Sequence, residues 1–357
     1  MEWIVGKKFE IGPPVWRSGR CRQGSRTSSH RRTGKEQEAG VKLLTYDAGN
    51  GARCGMAVKG GGVADVTALL QAACPVRDVQ ALLELGAAPL AALAACADHA
   101  PAHHCMRDVR LLSPILRPPT IRDFSVYEGH ASMHGAWQLP EAWYRLPAFY
   151  FSNPLCMHGQ DATVPFPSAT GKFDYELELA AVIGSEVRNA CADDAWDAIA
   201  GFTIFIDWSC RDLQRDEMQL HLGPAKGKDC GSSLGPWMVT KDEFVESWKN
   251  RQLDLAVRMK VNGEDWLTGS TAGMQHDWGE LLVRASRDSR LVPGDIVAAG
   301  TVNGGSIPEA IRLGKSARYL EPGDRLEATI EGIGTLRSTL GEQASCDASY
   351  SYLAPRK

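Results

Sequence analysis

Apolar and polar side chains alternate along residues 171–184, in the segment GKFDYELELAAVIG. Its first half carries an acid at every second position: Asp174, Glu176 and Glu178. An alternation with period two predicts a β-strand with one face toward the core and one face toward polar surroundings. Glu176 and Glu178 then lie on the same face, about 6–7 Å apart along the backbone. Two like charges so placed repel each other unless both are solvated or share a cation.

Short β-type segments separated by turns continue through the rest of the chain. VKLLTYDAG and ARCGMAV predict a strand pair, and the Ala- and Leu-rich region between Glu84 and Asp98 predicts one or two helices. Later β-type runs are separated by one Asn-Gly and two Pro-Gly-Asp sequences, which suit hairpins or tight connections. DDAWDAIAGF and GELLVRASR predict short helices. The pattern as a whole predicts a β-rich α+β protein.

Composition predicts four segments. Residues 1–40 are rich in Arg, Ser and Gly and almost lack large apolar side chains, so we expect them to be disordered. A mitochondrial transit peptide is a second interpretation of this segment, which its glutamates disfavour. We expect residues 41–116 to form a small N-terminal α/β domain and residues 117–345 the main domain, because Pro118 and Pro119 favour an extended joint. Residues 346–357 are expected to be a C-terminal tail.

Length and overall composition are those of an ordinary soluble globular protein. The 357 residues are 44% hydrophobic and 23% charged, and the formal net charge is −4. This acidic balance argues against a nucleic-acid partner, and no apolar stretch is long enough to predict a membrane span. None of the 10 cysteines forms a CxxC pair, so we expect free thiols, no zinc site and a cytoplasmic location.

Asp207 is a further acidic candidate, because it closes the apolar run GFTIFID. Mg²⁺, Mn²⁺ and Ca²⁺ take oxygen ligands, and carboxylates from neighbouring strands can chelate them. Spacing alone leaves two interpretations open. The acids form a divalent-cation site, or Glu176 and Glu178 face solvent on an edge strand while Asp207 caps a helix.

Four motifs in a fixed order resemble the fumarylacetoacetate hydrolase family: FDYELELAAVIG, TIFIDWSCRDLQ, LGPAKGKDCGSSLGPW and AAGTVNGGSIPEA. The resemblance extends from about Pro118 to Leu340 and includes RDFSVYEGH, where an acid stands seven residues before a histidine. It implies a mixed β-roll or sandwich catalytic domain and a homodimer. It also implies hydrolysis of a carbon–carbon bond in a small β-diketo acid, such as fumarylacetoacetate or an acylpyruvate, as in the catabolism of aromatic compounds.

The resemblance also implies roles for particular residues. The ligands of a divalent metal, Mg²⁺ or Mn²⁺ or else Ca²⁺, would be Asp123, Glu176, Glu178 and Asp207. His130 would activate water as a general base, Glu309 would orient it, and Lys228 would lie near the metal. The substrate would be contacted by Tyr150, Arg211, Gln214 and Thr301. Arg211 has a second interpretation, a structural salt bridge with Asp212 or Asp216.

Departures from the family pattern leave the substrate open. The segment from His130 to Pro147 is several residues shorter than in the animal enzymes, and Arg145 does not match the arginine that binds the substrate carboxylate there. Related members are oxaloacetate decarboxylases, hydratases or isomerases, and a non-catalytic protein of the same fold is a further alternative. The pair of His130 and Glu309 favours hydrolysis, because decarboxylation needs no activated water. Met133 also stands where decarboxylase-type members have a glutamate.

Overall fold

The computed structural model of the protein describes residues 40–315, 318–343 and 345. The disorder expected for residues 1–40 lies outside the described residues except at Gly40, and the tail expected at 346–357 lies outside them altogether. The helices are α1 (Val66–Leu69), α2 (Val79–Glu84), α3 (Ala87–Cys96), α4 (Glu128–Ala131), α5 (Glu141–Arg145), α6 (Ala195–Ala198), α7 (Arg211–Met218), α8 (Trp278–Ser286) and α9 (Ile307–Arg312). The strands are β1 (Lys42–Asp47), β2 (Ala52–Val58), β3 (Gly62–Asp65), β4 (His104–Cys105), β5 (Arg110–Leu112), β6 (Ile121–Phe124), β7 (Phe149–Ser152), β8 (Met157–His158), β9 (Ala162–Phe166), β10 (Phe173–Asp174), β11 (Leu177–Ile183), β12 (Ile199–Asp207), β13 (Ser209–Cys210), β14 (Ser232–Thr240), β15 (Trp248–Lys249), β16 (Gln252–Leu253), β17 (Ala256–Val261), β18 (Glu264–Ser270), β19 (Ile296–Ala298), β20 (Arg325–Ile330) and β21 (Gly334–Gln343).

The largest sheet has 12 strands, in the order β4-β3-β2-β1-β14-β12-β11-β19-β6-β7, with β5 on β1 and β8 on β14. Its central strands β11 and β12 are buried along their whole length. Most neighbours are antiparallel, but β19 pairs with β6 in parallel. The sheet therefore places β12, β11, β19, β6 and β7 side by side, although they come from distant parts of the chain.

A second sheet has five strands in the order β18-β17-β20-β21-β9. Strands β17 and β18 form an antiparallel hairpin whose turn holds Asn262 and Gly263 at φ of 52° and 86°. Both values lie in the left-handed region that such Asn-Gly turns require, so the predicted hairpin is confirmed. Within the described residues neither large sheet closes on itself. The predicted β-rich α+β class is confirmed.

The strand predicted over residues 171–184 differs from the expectation in two ways. It is interrupted between β10 and β11, and Glu176 in the gap makes an isolated bridge with Ser306. Its acids do not face solvent: Asp174, Glu176 and Glu178 are all buried. The reason is position, because β11 lies between β12 and β19 and has apolar packing on both of its faces. The edge-strand interpretation is therefore wrong.

The first strands belong to the same sheet as the later ones. β1 pairs with β14 through Lys42↔Val239 and Leu43↔Met238, and also with β2, as predicted for the strand pair. The domain boundary proposed at residue 117 stays a prediction. Across the described residues, none of the helices combines the length and the apolarity that a membrane span requires.

Candidate active site

Adjacent strands bring the predicted acids together. Asp123 in β6 is paired with Tyr150 in β7, and Ala298 of β19 pairs with Asp123 on the other side. Glu178 lies in β11, next to β19, and Asp207 ends β12. Because neighbouring strands are only about 4.8 Å apart, side chains on one face of these strands reach one another. Asp207 is not a helix cap, since α7 begins at Arg211 with Cys210 as its N-cap residue.

The carboxylates form a buried cluster held by neutral donors. The Tyr150 hydroxyl donates to Oδ2 of Asp123 at 2.8 Å and also to Oδ2 of Asp207. Glu178 accepts from the backbone N–H of Gly300 at 3.1 Å and from the Thr301 hydroxyl at 3.3 Å. The structure therefore places Tyr150 and Thr301, both predicted substrate contacts, directly against predicted metal ligands.

Gly300 is required by this arrangement. Its φ is +93°, and a Cβ there would lie 2.2 Å from the carbonyl oxygen of Phe124. Only glycine can adopt that conformation and approach the neighbouring strand so closely. As a result its N–H reaches the Glu178 carboxylate.

Two cations reach into the cluster. The Lys228 ammonium is buried and donates to Oδ2 of Asp207 at 2.5 Å and to Oε2 of Glu176. The Arg211 guanidinium donates to Oε1 of Glu176 at 2.6 Å and to Oδ2 of Asp174 at 2.7 Å. Glu176 is thus the acid that both cations contact.

The charges divide the acids into two groups. Burial alone would raise the pKa of Glu176. The charges of Arg211 and Lys228 outweigh burial and hold this pKa below its usual range. Burial, followed by the charges of neighbouring acids, raises the pKa of Asp123 and of Glu178 well above the usual range. Burial also raises the pKa of Asp207, and Lys228 offsets this only in part. The cluster therefore carries more acid than its two cations can neutralise.

The donor set fits a hard divalent cation. All four predicted ligands offer carboxylate oxygens, which Mg²⁺, Mn²⁺ and Ca²⁺ prefer. Among the described residues, the buried Oδ1 of Asp207 has no hydrogen-bond partner. As the side chains stand, no group of three or more His, Cys, Asp or Glu in that same part of the chain is arranged to hold a metal. Lys228 instead bridges Glu176 and Asp207, so a bound metal would require these side chains to adjust.

A histidine–carboxylate pair borders the cluster. Nδ1 of His130, in α4, lies 2.7 Å from Oε2 of Glu309, at the start of α9. The other ring nitrogen, Nε2, lies 3.5 Å from Oε1 of Glu176. Burial raises the pKa of Glu309, but the hydrogen bond and charge of His130 outweigh it and leave that pKa below its usual value. Glu309 is thus ionised and holds the ring with one nitrogen toward the acids.

Arg211 is not paired with either acid suggested from the sequence. Asp212 accepts instead from the Thr170 hydroxyl at 2.5 Å and from the N–H of Gly171 at 2.9 Å. Gln214 accepts from Nη1 of Arg211 at 2.8 Å. The salt bridges with Asp212 and Asp216 are therefore wrong, and Arg211 and Gln214 form one hydrogen-bonded unit beside Glu176.

Sequence reasoning assigned no role to three residues of this site: Asp174, His134 and Asn303. Asp174 is buried, accepts from Arg211 and from the N–H of Ile307 at 2.9 Å, and burial raises its pKa to about 6. The sequence feature that could have revealed Asp174 is its place in the acidic alternation with Glu176 and Glu178. Asn303 accepts from the backbone N–H of His130 at 3.2 Å, a contact across 173 positions that no local pattern reveals.

Arg145, which does not match the family's carboxylate-binding arginine in sequence, is exposed, and its Nε lies 3.7 Å from Oε1 of Glu141.

The chain matches a known protein family over most of its described residues. The model of the family described as "Fumarylacetoacetate (FAA) hydrolase C-terminal" matches residues 120–341, more than half of the chain. The chain belongs to the fumarylacetoacetate hydrolase family.

Characterised relatives of this family member have different activities. Oxaloacetate tautomerase YisK of Bacillus subtilis (strain 168) is 32% identical over 67% of this chain and 75% of its own length. A 2,4-didehydro-3-deoxy-L-rhamnonate hydrolase of Sphingomonas sp. (strain SKA58) is 32% identical over 55% of this chain and 65% of its own length. The fumarylacetoacetate hydrolase structure from Exiguobacterium antarcticum aligns with a TM-score of 0.62 and 26% identity, covering 85% of this chain and 100% of that one. The protein is therefore an enzyme of the fumarylacetoacetate hydrolase superfamily, which includes both hydrolases and a tautomerase.

Proposed function

We propose that the protein is a divalent-metal-dependent hydrolase that cleaves a carbon–carbon bond in a β-diketo acid of the acylpyruvate or fumarylacetoacetate type. The observation that carries the proposal is the position of His130. Its Nδ1 is held by Glu309 at 2.7 Å while its Nε2 faces Glu176 Oε1 at 3.5 Å. A base so oriented is what hydrolysis needs, whereas decarboxylation needs an enolate sink but no activated water.

The acids and cations of the site would divide the work. Asp123, Glu176, Glu178 and Asp207 would hold the metal, which when bound supplies a Lewis acid for the dioxo unit and its enolate. Nε2 of His130 takes a proton from water, whose oxygen attacks the acyl carbonyl, and Glu309 stabilises the imidazolium that forms. Lys228 supplies positive charge for a developing oxyanion. Arg211 and Gln214 would bind polar groups of the substrate.

The stoichiometry of this reaction is fixed by its products. An acylpyruvate anion and one water give a carboxylate, pyruvate and one proton. The bond between the acyl carbon and the adjacent methylene breaks, its electron pair stays on the methylene as an enolate, and that carbon gains a proton. Only one of the two protons of water ends on carbon, so the other leaves the site.

Tautomerisation of oxaloacetate is the second candidate. It is supported by the Bacillus subtilis tautomerase, 32% identical over 245 residues. Moving a proton between carbon and oxygen also uses a positioned base and a stabilised enolate, but it consumes no water and breaks no carbon–carbon bond. Decarboxylation of oxaloacetate, and hydration or isomerisation of 2-keto acids, remain further members of this group.

Product analysis separates these candidates. The purified protein would be given fumarylacetoacetate, fumarylpyruvate, acetylpyruvate and oxaloacetate, each with Mg²⁺, with Mn²⁺ and with EDTA. Loss of enol absorbance together with two acids detected by mass spectrometry supports hydrolysis. Enol–keto exchange of oxaloacetate at unchanged mass, without cleavage of any diketo acid, would replace the proposal by the tautomerase. A homodimer, a cytoplasmic location, and the lack of nucleic-acid and membrane partners stay predictions.

A further inference from the structure

A second histidine contacts the carboxylate that orients His130. Nε2 of His134 lies 2.9 Å from Oε1 of Glu309, while Nδ1 of His130 lies 2.7 Å from Oε2 of the same group. Each carboxylate oxygen therefore faces one imidazole. Glu309 is fully buried, whereas the side chains of His130 and His134 are 19% and 28% exposed. Of the two imidazoles that contact this carboxylate, that of His134 is therefore the more exposed to solvent.

The backbone holds His134 in place at a conformational cost. Met133 and His134 have φ of 50° and 51°, and Gly135 follows at 78°. Two successive non-glycine residues in the left-handed region are uncommon, and such strain persists only where surrounding contacts impose it. Here the N–H of His134 donates to the carbonyl of Gly129 at 2.6 Å and that of Gly135 donates to the Ser132 hydroxyl at 3.0 Å. The turn therefore carries His134 back over the helix that bears His130.

Apart from the two histidines, the described residues that bind Glu309 belong to its own segment. The N–H of Gly304 donates to its Oε1 at 2.8 Å, and the Ser306 hydroxyl donates to its Oε2 at 2.8 Å. Ring nitrogen Nε2 of His134 lies within hydrogen-bonding distance of Oε1, but the contact does not have the geometry of a hydrogen bond, and within the described residues this buried nitrogen has no hydrogen-bond partner. A small rotation of the ring would complete the bond, since the distance is already that of one.

We propose that His134 is a positioning residue. After a small rotation of its ring it donates from Nε2 to Oε1 of Glu309 and so fixes the plane in which the carboxylate meets His130. Without it, the carboxylate can turn about its last side-chain bond and the imidazole loses its orientation, which lowers turnover more than substrate binding. The proposal rests on the proposed function in one respect, that the pair of Glu309 and His130 acts in turnover.

A double-mutant cycle tests this assignment. His134→Leu should lower kcat about 10-fold, the lower end of what losing a hydrogen-bonded support of a site residue costs, with KM changed less than about twofold. His134→Gln should restore most of the loss, because its amide N–H can reach the same oxygen. In a Glu309→Ala background, His134→Leu should have no further effect, because the group through which it acts is gone. His99→Leu, at an exposed histidine, is the control.

Two results would overturn the proposal: full kcat in His134→Leu, or the same loss with and without Glu309. The kinetic cycle uses whichever of fumarylacetoacetate, fumarylpyruvate, acetylpyruvate and oxaloacetate the wild type converts, so it does not depend on hydrolysis being the reaction. If the wild type converts none of them, the proposed function fails, and wild type, the two single variants and the double variant are compared by urea unfolding. If the shifts of the urea midpoint caused by the two single substitutions do not add up in the double variant, the contact between His134 and Glu309 is supported. If they add up, the contact is refuted.

Discussion

The Lys228 ammonium lies 2.5 Å from Oδ2 of Asp207, in a site where both side chains are almost completely shielded from water. A buried cation next to a buried acid is strongly coupled, because the low local dielectric strengthens their attraction. Burial alone would lower the pKa of Lys228, but the charges of Asp207 and Glu176 raise it above its usual value. Lys228 therefore stays protonated and supplies a fixed positive charge to the carboxylate cluster.

Removal of this charge is the first prediction. Lys228→Met should lower kcat by about 10²–10³-fold, as expected when one preorganised group that stabilises developing negative charge is lost. Mn²⁺ should still bind, because the carboxylates remain and have lost a competing cation. Steady-state kinetics and calorimetric titration with Mn²⁺ measure the two effects, and Lys59→Met, at an exposed surface pair with Asp98, is the control. Near-normal kcat in Lys228→Met would show that this charge does not serve the reaction.

Removal of a metal ligand is the second prediction. Glu178→Gln should abolish both turnover and Mn²⁺ binding, because it removes a charged oxygen donor that is 1% exposed. EDTA should likewise abolish turnover of the wild type, and Mg²⁺ or Mn²⁺ should restore it. Glu186→Gln, at an exposed glutamate, should change neither property. Turnover that persists when elemental analysis finds no metal would remove the cation from the mechanism.

Local sequence patterns predicted those parts of the fold that local chemistry determines. The Asn262–Gly263 hairpin follows from two residues that tolerate a left-handed backbone. The burial of both faces of β11 did not follow, because it depends on β12 and β19, and β19 begins more than 110 residues after β11 starts. Alternation alone cannot distinguish a polar face in water from a polar face inside a sheet.

The site shows the same division. The acids Glu176 and Glu178 are visible as an alternation and Asp207 as the acid that closes an apolar run, whereas the other predicted residues were found through the family resemblance. His134 and Asn303 were missed because each contacts a residue more than 170 positions away. Asn303 lies within the motif AAGTVNGGSIPEA, but the resemblance assigned it no role. Contacts of this kind are set by how β6, α4 and α9 meet in space, which no single-chain pattern encodes.

The buried carboxylate of Asp324, just before β20, gives the third prediction, on stability. Asp324 accepts from Arg318 at 2.7 and 2.9 Å, from Asn262 at 2.7 Å and from the N–H of Glu321 at 2.9 Å. Burial raises the pKa of Asp324, but these hydrogen bonds outweigh it, so the pKa in the folded state is below its usual value. Asp324→Asn should lower the free energy of unfolding by about 1.5–3 kcal/mol at pH 7, the range for hydrogen bonds to a charged group.

The pH dependence follows from the sign of that shift. Stabilisation by a carboxylate with a lowered pKa is complete above its unfolded pKa of about 3.9 and is lost as the pH falls through the folded value. The difference between wild type and Asp324→Asn should therefore be constant from pH 7 to about pH 5 and shrink below pH 4. Urea unfolding at each pH measures it, with Asp242→Asn at an exposed position as control. A difference that grows on acidification would contradict the assignment.

The last prediction separates the base from the metal ligands. His130→Ala should keep Mn²⁺ bound while turnover falls by about 10²–10⁴-fold, the usual cost of removing a general base. Glu309→Gln should fall in the same direction but less, because the imidazole remains and loses only its charged partner at 2.7 Å. Loss of Mn²⁺ from His130→Ala would make the imidazole a ligand, since a base for water has no reason to affect metal affinity. If His130→Ala instead kept nearly full activity, water activation would fail as a mechanism, and an enolate reaction that needs no activated water, such as decarboxylation of oxaloacetate, would account better for the same carboxylates and the same lysine.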